Sequence, residues 1–277
     1  MALDLPDDWL ACANQVRREG RQRIMVLGAT DVGKSSFCSF LAPFLAQAAG
    51  SLRLLDADLG QKLFGPPACI TLARFEQRGR FALERLHFIG DMHPVANGPA
   101  VIAGARLAHG GDLSLVNTSG LISGSGVALK RAKIDALGPD LVVAIQREHE
   151  LEPVIAALPA HLVIRVQPSA LARPKTASMR RHGREAGLAA ALAGLRQVCI
   201  TRVPLQEMAR HRPDAAAIRL CAVADYRGED VSLGLIRLSD FHRTGAIWLP
   251  AIPSHVGRIR VGMAIPEALA TKLLPVP

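Results

Sequence analysis

The sequence predicts an α/β fold: an open, mostly parallel, doubly wound sheet followed by a small β-rich C-terminal part. Three observations predict it. Short apolar runs alternate with stretches of helical period between Arg23 and Val166. A glycine-bounded loop, Gly28-Ala29-Thr30-Asp31-Val32-Gly33-Lys34-Ser35, stands between the first of those runs and a helix-like segment. Beyond Leu195 the texture becomes β-branched, short in period and punctuated by Gly and Pro. A chain of 277 residues holds one large domain with an appendage or two modest domains. The change of texture divides it into 1–200 and 201–277.

Taken in order, residues 6–19 form a leading amphipathic helix, with Trp9, Leu10, Ala13 and Val16 on one side. Arg23 to Leu27 (RIMVL) reads as a buried strand, and Ser36 to Ala48 places Phe37, Phe40, Leu41, Phe44 and Leu45 at helical spacing. The loop between them fits G-x-x-x-x-G-K-[ST], which makes this a P-loop NTPase fold. Its glycines let the backbone turn the amides of Thr30, Asp31, Val32, Gly33, Lys34, Ser35 and Ser36 inward around phosphate at a helix N-terminus. Lys34 is expected to reach the β and γ phosphates, and Ser35 to hold Mg²⁺ through its hydroxyl. Gly50 ends the helix. Ser51 to Leu55 is the next strand and runs into Asp56-Ala57-Asp58-Leu59-Gly60-Gln61. Ligands gather at the carboxyl ends of strands in such sheets, so these two acids face the phosphates. One is expected to serve Mg²⁺ and the other to take a proton from an attacking hydroxyl. Asp58, two residues past the strand end, is assigned as the base and Asp56 to the metal; the reverse assignment stays open.

Further strands are expected at Cys69 to Ala73, Leu86 to Ile89, Leu113 to Asn117, Leu141 to Ile145 and Leu162 to Val166, with helices near 97–108, 126–137 and 151–158. Polar loops follow two of the strands, at Gly90 to Asn97 and Asn117 to Gly126. From Ala172 to Gly194 runs a basic helical segment in which Arg180 and Arg184 are one turn apart. They can close as a lid over transferring phosphates, whose transition state collects negative charge on its equatorial oxygens. In the C-terminal part, Arg227 to Asp230 and His242 to Gly245 read as hairpin turns.

Composition sets bounds. The formal net charge is +9, and of 33 basic residues only six are lysines, the rest arginines. Guanidinium forks suit phosphate, which predicts a polyanionic partner, although a compositional bias toward Arg gives the same count. No apolar run is long enough to span a membrane. Acids at Asp4, Asp7 and Asp8 stand where a signal peptide is basic, so the expected location is cytoplasmic. Five cysteines without a C-x-x-C pair, and nine histidines without ligand spacing, predict buried thiols and no zinc site.

The order of motifs resembles the P-loop polynucleotide 5′-hydroxyl kinases. It comprises the P-loop, D-x-D-x-G-Q at Asp56 to Gln61 with Phe64-Gly65-Pro66-Pro67 behind it, G-x-x-x-P-x-x-N at Gly90 to Asn97, N-T-x-G at Asn117 to Gly120, and the arginine lid. The resemblance implies transfer of the γ-phosphate of ATP or GTP, with Mg²⁺, to the 5′-hydroxyl end of RNA or DNA. It implies catalytic roles for Lys34, Asp58, Arg180 and Arg184, metal contacts from Ser35 and Asp56, and substrate contacts from Gln61, Asn97, Thr118, Gly120 and Arg181. No membrane partner is implied. Leu121 stands where the family's clasp usually has Trp, and Gly187 and Leu188 where an aromatic pair usually follows the lid arginines. Two other functions fit a P-loop: a nucleotide-binding adaptor in RNA processing, and a partitioning-type ATPase. The latter usually has a lysine early in the loop, where this chain has Ala29 and Thr30.

Overall fold

The structure, a computed structural model, describes residues 5–76, 79–108, 113–208 and 214–275, so Asp4 of the acidic N-terminus lies outside them. Its first half runs α1 (Asp7–Glu19), β1 (Arg23–Gly28), α2 (Lys34–Ala49), β2 (Arg53–Ala57), β3 (Cys69–Glu76), β4 (Arg80–Phe88), α3 (Gly98–Ala105), β5 (Ser114–Thr118), α4 (Ser125–Leu137) and β6 (Leu141–Ile145). The rest runs α5 (Glu152–Ile155), β7 (Val163–Val166), α6 (Ala177–Ala191), β8 (Arg196–Cys199), β9 (Leu205–Glu207), β10 (Ile218–Ala224), β11 (Asp230–Arg237), α7 (Leu238–Thr244), β12 (Ala246–Leu249), β13 (Arg258–Ala264) and α8 (Glu267–Leu273).

The expected parallel core is the run β7-β6-β1-β5-β2, every neighbouring pair parallel. Successive residues of β1 leave the sheet on opposite faces, as the two-residue period of a strand requires. Ile24 and Val26 join α1 and α2 in one core, while Met25 and Leu27 join α3, α4 and α5 in another. Burial on both faces is why β1 and β6 read as unbroken apolar runs instead of alternating ones.

At β2 the sheet changes sense. β3 and β4 form an antiparallel hairpin, and Asp230 of β11 pairs with Leu86 of β4, so β10, β11 and β13 continue the same sheet antiparallel. Asp230 braces this joint: its carboxylate accepts the Phe88 N–H at 2.8 Å and takes the Arg260 guanidinium at 2.7 Å. The lid helix is tied to the C-terminal strands by packing, because Leu188 and Leu192 share a core with Leu220, Leu235 and Trp248.

Three expectations change. Residues 242–245 do not make a hairpin turn: they end α7, whose Asp240 accepts from Arg237 and Arg243, and Gly245 closes it in the left-handed conformation. The lid helix occupies Ala177–Ala191 within the expected 172–194, started by Thr176, whose hydroxyl accepts the Met179 N–H. Four cysteines are buried as expected, but Cys199 is exposed, since among the described residues β8 pairs with β12 alone and lies at the margin of the sheet.

Candidate active site

β1 ends at the P-loop, and its conformation is built into the sequence. Gly33 has φ 94°, a region closed to most residues, and delivers Lys34 to the first turn of α2. Asp31 also has positive φ, at 61°. Val32 is fully buried and anchors the loop in the core, where Trp9 packs edge-on against Phe37 with ring centres 5.0 Å apart. The Trp9 indole N–H donates to the Gln167 carbonyl at 2.8 Å, so α1 clamps the helix that carries the loop. Lys34 folds back and donates to the Ala29 carbonyl at 2.5 Å. Burial pulls its ammonium down to about 8, because in this enclosed position the charge lacks its hydration shell.

The floor beneath the loop comes from β2 and β5. Asp56 is fully buried and accepts from Leu63 N at 2.6 Å, Asn117 Nδ2 at 3.1 Å and Asp58 N at 3.1 Å, with Lys62 Nζ 3.5 Å away. Burial raises its pKa, and the Lys62 charge opposes that shift. Asn117 Nδ2 also reaches Ser35 Oγ at 3.4 Å, while Asn117 Oδ1 is buried without a partner among the described residues. The Ser35 hydroxyl and the Asp56 carboxylate, both within reach of Asn117 Nδ2, are hard oxygen donors of the kind Mg²⁺ takes. Asp58 lies one step up, in the cavity wall, its Oδ1 accepting the Gly60 and Gln61 N–H groups at 2.9 Å each.

The loop and Asp58 share one cavity of about 870 Å³, a volume sufficient for a nucleotide and part of a second substrate, while Asp56 and Asn117 lie buried outside its lining. Its wall brings together Thr30, Asp31, Gly33, Lys34, Ser35, Ser36, Asp58, Gln61, Gly120, Arg180 and Arg184, which lie up to 154 residues apart in sequence. Gly120 carries the clasp against the P-loop: a Cβ there would stand 2.5 Å from the Thr30 backbone nitrogen. Arg180 reaches across to Asp31, which also accepts the Lys175 N–H at 2.9 Å, so the lid and the loop are already in contact. Gln61 Nε2 donates to the Arg180 carbonyl at 3.3 Å and supports the lid from below.

Other expected site residues sit elsewhere. Thr118 is fully buried and its hydroxyl donates to the Val26 carbonyl at 2.8 Å, pinning β5 to β1 instead of facing a ligand. Asn97 precedes α3 and donates to the His93 carbonyl at 3.1 Å; it is Met92, His93 and Pro94 of that loop that reach the cavity. Arg181 is exposed on the face of α6 turned from the cavity, one residue being a 100° step on a helix.

The motifs passed over the lysines. Lys175 lines the cavity, Lys62 is buried beside Asp56, and Lys130 and Lys133 of α4 are buried beneath the clasp. With Lys34 they are five of the six lysines in the chain. Their scarcity was itself the available signal.

Comparison with known proteins points the same way as this geometry. Residues 28–190 match the family model of the mRNA cleavage and polyadenylation factor CLP1 P-loop. The chain is 33% identical over 195 residues to a polyribonucleotide 5′-hydroxyl-kinase of Pyrococcus furiosus, covering 67% of this chain and 55% of that protein. A polyribonucleotide 5′-hydroxyl-kinase of Methanocaldococcus jannaschii is 31% identical over 162 residues, covering 55% and 45%. The chain thus spans about half the length of these curated relatives. A chain of the solved wild-type Clp1p–Pcf11p complex superposes with a TM-score of 0.68 over 91% of this chain and 76% of that one, at 13% identity, a likeness of fold. The match across P-loop, acids, clasp and lid covers well over half of the sequence, and the chain belongs to the CLP1 P-loop family.

Proposed function

We propose that this protein is a polynucleotide 5′-hydroxyl kinase that transfers the γ-phosphate of ATP or GTP to the 5′-hydroxyl end of RNA or DNA. The observation that carries the reading is the single cavity in which P-loop, Asp58, Gly120 and the lid arginines converge. The names of the two archaeal relatives support the same reaction.

In this reading the P-loop amides and Lys34 hold the triphosphate, and Arg180 and Arg184 close over the phosphoryl group. Asp58 accepts the proton of the 5′-hydroxyl as its oxygen bonds to the γ-phosphorus and the bond to the β,γ-bridging oxygen breaks, releasing the nucleoside diphosphate. Ser35 and Asp56 would hold Mg²⁺, which when bound would supply positive charge beside the phosphates. Leu121 is more than a third exposed at the clasp and offers no ring to stack on, so the acceptor strand is held through its phosphates. We assign the chemistry to residues 1–200 and, to 201–277, the bracing of the lid through Leu188 and Leu192.

The test is incubation of purified protein with γ-labelled ATP or GTP and oligomers of RNA or DNA bearing a 5′-hydroxyl or a 5′-phosphate. Label should pass only to 5′-hydroxyl ends and should be lost in Lys34→Ala. Nucleotide binding without transfer to any acceptor would replace the kinase with the adaptor.

A further inference from the structure

Lys130 and Lys133 are adjacent turns of α4, the helix that leaves the clasp, and both are almost wholly out of water, at 2% and 0% exposure. Among the described residues neither is ion-paired with a carboxylate. Lys130 donates to the Ser119 carbonyl, the residue before Gly120 in the cavity wall. Lys133 Nζ finds no hydrogen-bond partner among the described residues. A buried ammonium without a partner costs several kcal/mol of lost hydration, which a fold does not tolerate without return. The groups that face this pair are Lys34 of α2 and Asp56 and Asp58 at the end of β2, with Lys62 held against Asp56. Four lysine side chains therefore gather around one fully buried carboxylate, Asp56, with Asp58 in the cavity wall above it. Burial pulls both α4 lysines down, Lys133 to about 8, and the neighbouring Lys133 and Lys34 charges push Lys130 further.

An excess of buried positive charge directly behind a phosphate-binding loop is a site that is incomplete until an anion arrives. We propose that Lys130 and Lys133 are positioning residues of the triphosphate site, a second tier of positive charge that acts through Lys34 and the Ser119 carbonyl and is compensated by the β and γ phosphates. The inference rests on the kinase reading only so far as that reading places a nucleoside triphosphate on the P-loop; it is independent of the acceptor. Residue type supports it. An ammonium is compact and needs three acceptors at most, whereas a guanidinium presents five donors in a plane that must be met when buried, as Glu207 and the Gly262 carbonyl meet those of Arg219. In a chain where arginines outnumber lysines more than four to one, four of the six lysines, Lys34, Lys62, Lys130 and Lys133, have buried side chains around this site.

The experiment compares wild type with Lys133→Met and Lys130→Met, and with Lys133→Gln as a second replacement should the first not fold. Calorimetry with Mg²⁺ measures binding of ATP, ADP and AMP, and thermal melts are recorded without nucleotide. The expected result is a nucleotide-free Tm equal to or above wild type, since an orphaned charge has been removed, together with affinity losses that grow with phosphate number: tenfold or more for ATP and little for AMP. Lys133→Arg should not restore ATP affinity. A lowered Tm with an unchanged ATP to AMP affinity ratio would show that the two lysines serve packing alone and would overturn the proposal. If wild type binds no triphosphate, the P-loop reading falls with it. If wild type binds ATP and the variants lose that selectivity while no acceptor is phosphorylated, the kinase reading falls and this inference stands.

Discussion

Replacing Gly120 with alanine tests whether the clasp and the phosphate loop work as one unit. The added Cβ would run into Thr30 Oγ1 and stand 2.5 Å from both Thr30 Cα and N. Non-bonded carbons rest about 3.5 Å apart or more, so clasp or loop must retreat by about 1 Å. Gly120 is not among the glycines of positive φ, and alanine therefore meets no backbone strain of its own. Neither side yields readily. Val32 holds the loop in the core, and Lys130 holds Ser119 to α4. Over-packing of this kind costs about 1–3 kcal/mol of stability. A misplacement of about 1 Å at reacting groups costs about 10²-fold in rate. Steady-state transfer to a 5′-hydroxyl oligomer should accordingly show kcat/KM down about 10²-fold in a protein that remains folded at assay temperature. Gly183→Ala is the matched control: nothing lies within 4 Å of its added Cβ, so transfer should be unchanged and α6 stabilised by up to about 1 kcal/mol. Wild-type rates in Gly120→Ala would separate the clasp from the chemistry and refute the argument.

Further outcomes follow from the same geometry. Asp58→Asn should lower kcat by about 10²-fold with nucleotide affinity nearly intact, as loss of a general base does; if Asp56→Asn alone gives that pattern in single-turnover assays, the two roles are exchanged. Asp31→Asn removes the charge that holds Arg180, so nucleotide release measured by stopped flow should quicken several-fold; an unchanged rate would mean that Leu188 and Leu192 alone hold the lid. Lys133, lowered to about 8, holds its proton more weakly folded than unfolded, where a lysine titrates near 10.4. The unfolded chain binds the extra proton between those values, so stability rises with pH from about 8 to about 10.4, by roughly 3 kcal/mol from this group, and is lost again as pH falls to 8. Denaturant melts across that range should show the rise in wild type and a smaller one in Lys133→Met. Arg180→Ala and Arg184→Ala should reduce kcat more than they raise the acceptor KM, and wild-type KM should climb steeply with salt, by a log–log slope of about 0.7 per phosphate contact.

The sequence by itself determined the elements that obey local rules. The parallel strands announce themselves because both their faces are buried. The P-loop does so because its glycines and the Lys34-Ser35 pair must stand at fixed spacing between a strand and a helix, and Asp58 because it follows a strand end directly, although β2 runs on to Ala57 and takes Asp56 into the strand itself. Those rules bear on residues within one turn or one strand of each other. Tertiary structure alone decided what depends on distant partners. Whether a strand runs parallel or antiparallel is set by its neighbour, so the β3–β4 hairpin and the joint at Asp230 had no local signature. The direction of a side chain is set by the face its element buries, which sends Thr118 into the sheet, Arg181 to solvent and Cys199 to an exposed margin. The lysines show the limit most plainly. Nothing beside Lys130 or Lys133 in sequence separates them from a solvated helix face, and they become a buried charge pair only because α4 lays that face against the carboxyl ends of β1, β2 and β5, where water is excluded and the phosphate loop stands overhead.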